Sequence, residues 1–233
     1  MSSLDVLCED GPVLAVNKPA GLLTQGVPAG LPTLEGQVRD YIKQKYDKPG
    51  NVYLGIPHRL DRPTSGVIVF ARNSKAAARL AEQFHDRRVR KEYLAIVESV
   101  PTEPDGTLTD WLLKDAVRSH VECVAADTAG AKQASLHYRV QQVRDGQALL
   151  LVEPQTGRMH QIRVQLAARG WPIVGDIHYG AATAMSLPDG AKSGDVIALH
   201  AHRLTIRHPV RYDALTVEAP RPSTWSEFGF GDV

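Results

Sequence analysis

The stretch His58-Arg59-Leu60-Asp61-Arg62-Pro63-Thr64-Ser65-Gly66 sets one carboxylate between two arginines, just ahead of an apolar run. Neighbouring guanidinium groups favour the charged form of an aspartate. A carboxylate kept ionised in this way suits a nucleophile or an electrostatic stabiliser and does not suit a general acid. The bland alternative is a turn cap or surface ion pair. Three more segments carry chemistry-capable side chains. In Thr156-Gly157-Arg158-Met159-His160-Gln161-Ile162-Arg163, a Thr-Gly turn opens a helix that puts His160 and Arg163, three apart, on one face. Arg90-Lys91-Glu92-Tyr93-Leu94-Ala95-Ile96-Val97 is a basic lead into a strand with a single tyrosine, a residue that more often packs in a core. Ala198-Leu199-His200-Ala201-His202-Arg203-Leu204 puts two histidines on one strand face, but no third ligand stands at metal-binding spacing, so no metal site is expected.

These residues need rigid elements to hold them. Val13–Val16 reads as a buried strand closed by the turn-rich Asn17-Lys18-Pro19-Ala20-Gly21. Thr33 is placed to cap a helix carrying Leu34, Val38, Tyr41 and Ile42, which Lys48-Pro49-Gly50-Asn51 breaks. Gly66–Ala71 is β-branched and apolar throughout, as in a strand buried on both faces. Asp61 therefore sits on a loop delivered by a rigid strand. Ser74 is expected to cap the next helix, with a stripe of Ala77, Leu80, Ala81 and Phe84 and an end near Val89. Tyr93–Val97 returns as a strand. Four or five strands fit between Leu108 and Val152, with turns at Asp127–Gly130 and Asp145-Gly146. His160–Arg169 reads as a helix stopped by Gly170, and Leu199–Ile206 and Leu215–Val217 close as strands. Strands outnumber helices and many are hairpin-linked, so the expected class is α+β, a mixed and largely antiparallel central sheet flanked by helices and loops.

Bulk properties narrow the function. The 233 residues suit one domain spanning 1–233. Cys8 and Cys123 lie far apart, which argues against a disulfide framework or a cysteine zinc site. The N-terminus lacks a basic region followed by an apolar stretch, and no apolar run could span a bilayer, so the expectation is a cytoplasmic protein without membrane association. Net charge is only +1, yet residues 72–92 carry a local balance of +4, and residues 156–171 and 200–211 hold arginines with no acid at all. Each run alone reads as a solvated face. Three of them beside the motifs above point to a polyanion lying across one surface.

Taken together and in this order, the motifs resemble one family. His58–Gly66, Val16-Asn17-Lys18-Pro19-Ala20-Gly21, Arg-Lys-Glu-Tyr at 90–93, Thr-Gly-Arg-Met-His-Gln-Ile-Arg at 156–163 and Leu-His-Ala-His-Arg-Leu at 199–204 are similar to the signatures of pseudouridine synthases of the RluA type, from about Leu4 to Pro220. The resemblance implies the pseudouridine synthase fold and an isomerase acting on uridine in structured RNA, a stem–loop of ribosomal or transfer RNA, with no cofactor and no metal. By position Asp61 would be the catalytic aspartate, Tyr93 would lie against the base, and Arg163 would pair with the Asp61 carboxylate. Leu199 would line the pocket, and Arg59 would help fill the place of the extruded base. His58, Arg62, Arg87, Arg88, Arg90, Lys91, Arg158 and His160 would face the RNA. A monomer without an N-terminal accessory domain is expected, since the pattern begins near residue 4.

Three departures from the pattern are expected on the RNA-facing rim: Gln165 where histidine is frequent, Glu98-Ser99-Val100 after the tyrosine strand, and His208-Pro209-Val210-Arg211 near the end. Two rival readings are a catalytically silent RNA-binding protein on the same scaffold and a glycosidase-like hydrolase. The second needs a partnered acid near Asp61 that the sequence does not offer.

Overall fold

A computed structural model describes residues 4–26, 31–115, 120–185 and 194–231. Ten strands form a mixed, mostly antiparallel sheet with few helices, which is the expected class. The chain divides into two compact units, residues 1–91 with 201–220, and residues 92–200 with 221–233.

In the first unit, β1 (Val6–Asp10), β2 (Val13–Lys18) and β3 (Ser65–Ala71) pair antiparallel in sequence. The alternation of side chains splits β2 and β3 between two cores. Leu14, Val16, Ile68 and Phe70 pack with Leu34, Val38 and Ile42 of α1 (Leu34–Lys45). Val13, Ala15, Val67, Val69 and Ala71 pack with Ala76 and Leu80 of α2 (Ser74–His85). Both strands are thus covered on both faces, as their unbroken apolar runs require. The Thr33 hydroxyl caps α1 by accepting from the Gly36 N–H at 3.1 Å.

Three details differ from the sequence reading. β1 was not expected: its sequence, Val-Leu-Cys-Glu-Asp, has only a short apolar start, and it forms because Gly11 at φ +52° closes a tight hairpin onto β2. Asn73, not Ser74, caps α2, through an Ala76 N–H bond to its Oδ1 at 2.8 Å. Ala77, Leu80 and Phe84 of the expected α2 stripe pack into the core together with Ala76, but Ala81 is exposed and Gln83 is buried, and the helix ends at His85, four residues early, because Asp86 and a left-handed Arg87 (φ 58°) turn the chain.

In the second unit, β4 (Arg90–Val97, counted here from Glu92), β8 (Gln147–Pro154), β7 (Lys132–Arg144), β5 (Asp105–Asp115) and β6 (His120–Val124) pair antiparallel in that order. Four strands lie between Leu108 and Val152, within the expected number. A bulge between Val140 and Gln142 bends β7. The short α3 (Gln161–Ala167) packs Val164 against Leu112, Val121 and Ala134. The last strands are β9 (Leu199–Arg207), whose first two residues belong to the second unit, and β10 (Ala214–Glu218), paired antiparallel to it. Among the described residues no helix is long and apolar enough to cross a membrane.

Candidate active site

The Asp61 loop is sewn to the turn after β2. Lys18 is fully buried, and its ammonium donates to the carbonyls of Pro19 at 3.0 Å, Leu22 at 2.7 Å and Arg62 at 3.1 Å. Arg62 Nε donates to the Gly21 carbonyl at 3.0 Å, and the Gly21 N–H returns a bond to the Arg62 carbonyl at 2.9 Å. The Thr24 hydroxyl donates to the Leu60 carbonyl at 3.0 Å, and the Asp61 carbonyl closes its own turn with the Thr64 N–H at 3.1 Å. Each bond removes a freedom from the backbone carrying Asp61, so the carboxylate is preorganised. It also explains why Asn17–Gly21 and His58–Gly66 occur together. Burial pushes the Lys18 ammonium down to about 7, Asp61 opposes that shift, and Arg62 adds to it. Lys18 is a cation for the Asp61 loop that the sequence reading quoted but gave no role. A glycine is needed at position 66, where φ is +112° and an added Cβ would stand 2.3 Å from the Ala201 carbonyl oxygen.

His58 supports the loop from beneath. Its ring stacks on Phe84 of α2 with centroids 4.3 Å apart, and its Nε2 accepts the Val69 N–H at 3.0 Å. The imidazole is therefore neutral with its proton on Nδ1. Burial, with Lys91 adding to it, pushes the group down to about 3 from an ordinary 6.5. Between those values the unfolded chain binds the proton and the folded chain does not. Native stability is complete above about pH 6.5 and is lost as pH falls toward 3. In urea titrations the midpoint of His58→Gln, whose amide oxygen still accepts from Val69, is expected to fall less steeply over this range than that of the wild-type chain. Parallel curves would contradict the assignment.

Arg59 is exposed and makes no hydrogen bond or ion pair among the described residues. The basic run behind it is not uniform. Arg88 is engaged by Glu82 at 2.9 Å and Asp86 at 2.7 Å. Arg87 is exposed, Arg90 opens β4, and Lys91 is half-buried, with burial and then Arg87 lowering its proton affinity.

In the second unit, Tyr93 stands on β4 opposite Val152, half-buried. Leu199 is buried at the start of β9. The Thr-Gly-Arg turn is locked onto β7: the Thr156 hydroxyl accepts the Ser135 N–H and donates to Gln161 Oε1 at 2.7 Å, which also accepts the Arg158 N–H at 3.0 Å. The helix expected over 160–169 is Gln161–Ala167, and His160 stands just outside it in a left-handed backbone (φ 52°), so it is this turn, not helical spacing, that brings its ring and Arg163 to one tyrosine. His160 Nδ1 lies 2.8 Å from the Tyr179 hydroxyl, and the Arg163 guanidinium lies 4.9 Å from the Tyr179 ring centroid. Burial and then Arg163 push His160 down to about 4. Arg163 is only 5% exposed and forms a two-pronged pair with Asp176, Nε to Oδ2 at 2.7 Å and Nη2 to Oδ1 at 2.8 Å. Asp176 and Tyr179 were missed by the sequence reading. The available signal was Gly175-Asp176 and Tyr179-Gly180, an acid and a ring bracketed by glycines that both adopt positive φ.

Two of the departures expected on a rim bond to distant parts of the chain. Gln165 is fully buried and donates to Asp110 at 2.6 Å, because its helix position faces the β5 side of α3. Glu98 accepts the N–H groups of Ala182 and Thr183, so it ties down a loop. His202 is engaged at Nδ1 with the Ala219 carbonyl at 3.0 Å, and His200 is buried with Trp225 near its edge.

Comparisons with known proteins give the family. Residues 12–168 match the family model described as RNA pseudouridylate synthase. The chain is 35% identical over 218 residues to the dual-specificity RNA pseudouridine synthase RluA of Escherichia coli K12, covering 93% of each chain. It is 36% identical over 228 residues to the ribosomal large subunit pseudouridine synthase D of Xylella fastidiosa, covering 94% of this chain and 66% of that one. Among solved structures it is similar to human RNA pseudouridylate synthase domain containing 4, with a TM-score of 0.77 and 26% identity over 95% of this chain and 90% of that one.

Proposed function

The chain belongs to the RNA pseudouridylate synthase family, and from that premise we propose that it converts particular uridines in stem–loops of ribosomal RNA, transfer RNA or both, with Asp61 as the catalytic aspartate. As a member it is an RNA isomerase. The reaction breaks the N1–C1′ bond of uridine, turns the uracil, forms C5–C1′, and moves the C5 proton to solvent while N1 gains one. Nothing is oxidised and no water is consumed, so the chemistry asks only for a carboxylate, a proton acceptor and a site that holds the detached base. A carboxylate that attacks and later leaves has its precedent in retaining glycosidases. The observation that carries the reading is the clamp on the Asp61 loop by Lys18, Thr24 and Arg62, which fixes one carboxylate-bearing turn at the head of a fully buried strand.

The roles proposed for the other residues follow the family motifs they occupy. Tyr93 lies against the base, Arg163 supplies the cation that keeps the reacting carboxylate ionised, and Leu199 lines the pocket. Arg59, exposed and unspent, helps fill the stack that the uridine leaves. His58 and Arg62 shape the Asp61 loop, and Arg87, Arg90, Lys91, Arg158 and His160 face the RNA. Arg88 contributes least, because two carboxylates already claim its charge. The protein is proposed to work as a cytoplasmic monomer.

Mapping pseudouridine in total RNA from cells with and without the gene tests the reading. One or a few positions should lose the modification on deletion and regain it with the wild-type gene. An unchanged map would overturn it. A short stem–loop carrying the target uridine in its loop should be modified by the purified protein in excess chelator, since base extrusion costs least in a loop and no step calls for a metal. A requirement for a large RNA or particle, or activity restored by added zinc, would count against this.

A further inference from the structure

We propose that Tyr212, Arg79 and Arg207 form an RNA-docking site separate from Asp61, where an unpaired base stacks on the Tyr212 ring and a neighbouring phosphate meets the two guanidinium groups. The proposal rests on the RNA-modifying reading above and extends it to a surface that the family motifs leave out.

The turn between β9 and β10 is built around a buried histidine. His208, 1% exposed, accepts the N–H groups of Val210 and Arg211 at Nδ1, at 3.2 and 3.0 Å. Its carbonyl accepts the Tyr212 N–H at 2.9 Å, and its own N–H donates to the Asp213 carbonyl at 2.7 Å. These bonds hold Tyr212 in a left-handed backbone (φ 66°), which a tyrosine adopts only when its surroundings impose it. The strain does nothing for a core, because Tyr212 is 47% exposed.

Two arginines lie on that ring, Arg79 at 5.2 Å and Arg207 at 5.3 Å from its centroid. Arg79 donates through Nη1 to the Pro209 carbonyl, and Arg207 through Nε to the Tyr212 carbonyl. Neither pairs with a carboxylate among the described residues, and each keeps N–H groups open. Their neighbours differ: Arg211 is held by both oxygens of Asp10 at 2.7 Å, and Arg203 by Glu218 at 2.5 Å. Lys75, exposed and one helical turn before Arg79, adds a like charge at i,i+4, an arrangement that costs the helix stability. An exposed tyrosine beside two guanidinium groups that no described carboxylate pairs, with a lysine near by, matches a nucleic acid, which brings a stacking base and a phosphate together. An acidic protein would supply the charge but not the ring. Arg207 is six residues along β9 from Ala201, which touches Gly66 at the head of the Asp61 strand, so the patch stands about 20 Å from that point along the strand. It therefore meets nucleotides other than the one modified.

Fluorescence anisotropy with a labelled single-stranded oligouridylate, titrated at several salt concentrations, tests the site. Tyr212→Asn removes the ring while suiting the left-handed backbone, and should weaken binding about tenfold, whereas Tyr212→Trp should bind like wild type. Arg79→Gln/Arg207→Gln should reduce the log–log salt slope by about 0.7, the value for one phosphate on a single strand. Arg79→Lys/Arg207→Lys should keep the slope, as should Arg211→Gln, whose charge Asp10 already holds. Wild-type affinity in Tyr212→Asn, or an unchanged slope in the double glutamine variant, overturns the proposal even if the wild-type protein makes pseudouridine. Weakened binding in both variants of a protein that makes none would keep the docking site and remove the enzymatic reading.

Discussion

Asp61→Asn abolishes pseudouridine formation and leaves the fold and RNA affinity nearly intact. The change is almost isosteric, and the loop is held through its backbone: Thr64 bonds the Asp61 carbonyl, and Lys18 and Gly21 bond the Arg62 carbonyl. What is lost is the nucleophilic charge, and loss of a nucleophile costs at least about 10³-fold in single-turnover rate. A second consequence follows from Lys18. Asp61 is the one charge that supports its ammonium against burial, so in the variant Lys18 loses its proton more readily and its value falls below about 7. The Asn variant should therefore show a small change in stability around neutral pH beside its large loss of rate. A variant retaining more than a few per cent of wild-type turnover, on the scale of such losses, would remove Asp61 from its role.

Arg163→Ala slows the chemical step strongly and also destabilises the protein. The guanidinium is buried with Asp176, and taking away one partner strands a carboxylate that is 1% exposed in its side chain. Breaking a buried pair in this way costs about 3–5 kcal/mol. Arg163→Lys should recover part of both losses, because a lysine cannot reproduce the two-pronged contact. The two effects separate in a double variant. Arg163→Met/Asp176→Leu replaces the pair by apolar groups of similar volume and should regain stability, since such replacements are often neutral or better. It should not regain activity. Recovery of turnover in this double variant would reduce Arg163 to a structural residue.

The catalytic candidates and the fold class were legible because both rest on local patterns. Gly66–Ala71 announces a strand covered on both faces by its unbroken β-branched run, and Thr33 announces a helix by its cap. His160 and Arg163 both reach Tyr179, but through the left-handed turn at His160, not through the helical face their spacing suggested. What was not legible depended on partners distant in sequence. Lys18 is an ordinary surface-type residue until the carbonyls of Leu22 and Arg62 close around it. Asp176 finds Arg163 thirteen residues away through a loop without regular periodicity. Gln165 and Glu98, read as rim residues, are held by partners far along the chain, the buried Gln165 by Asp110 and the half-buried Glu98 by Ala182 and Thr183. The expected face of α2 holds at Ala77, Leu80 and Phe84 and fails at Ala81, while Gln83 is buried because it bonds the backbone of Arg207 with both ends of its amide, at 2.8 and 2.7 Å. Charge counts misled in the same way, since among the described residues Arg88, Arg203 and Arg211 are matched by carboxylates and Arg79 and Arg207 are not.

Tritium release from RNA labelled at C5 of uridine, incubated with the purified protein, measures the proposed bond change itself. Forming C5–C1′ expels the C5 hydrogen, so wild-type protein should release one tritium for each pseudouridine that mass spectrometry counts, and Asp61→Asn should release none above the blank. Wild-type protein that binds RNA tightly yet releases no tritium from any RNA of its own cell would contradict the account.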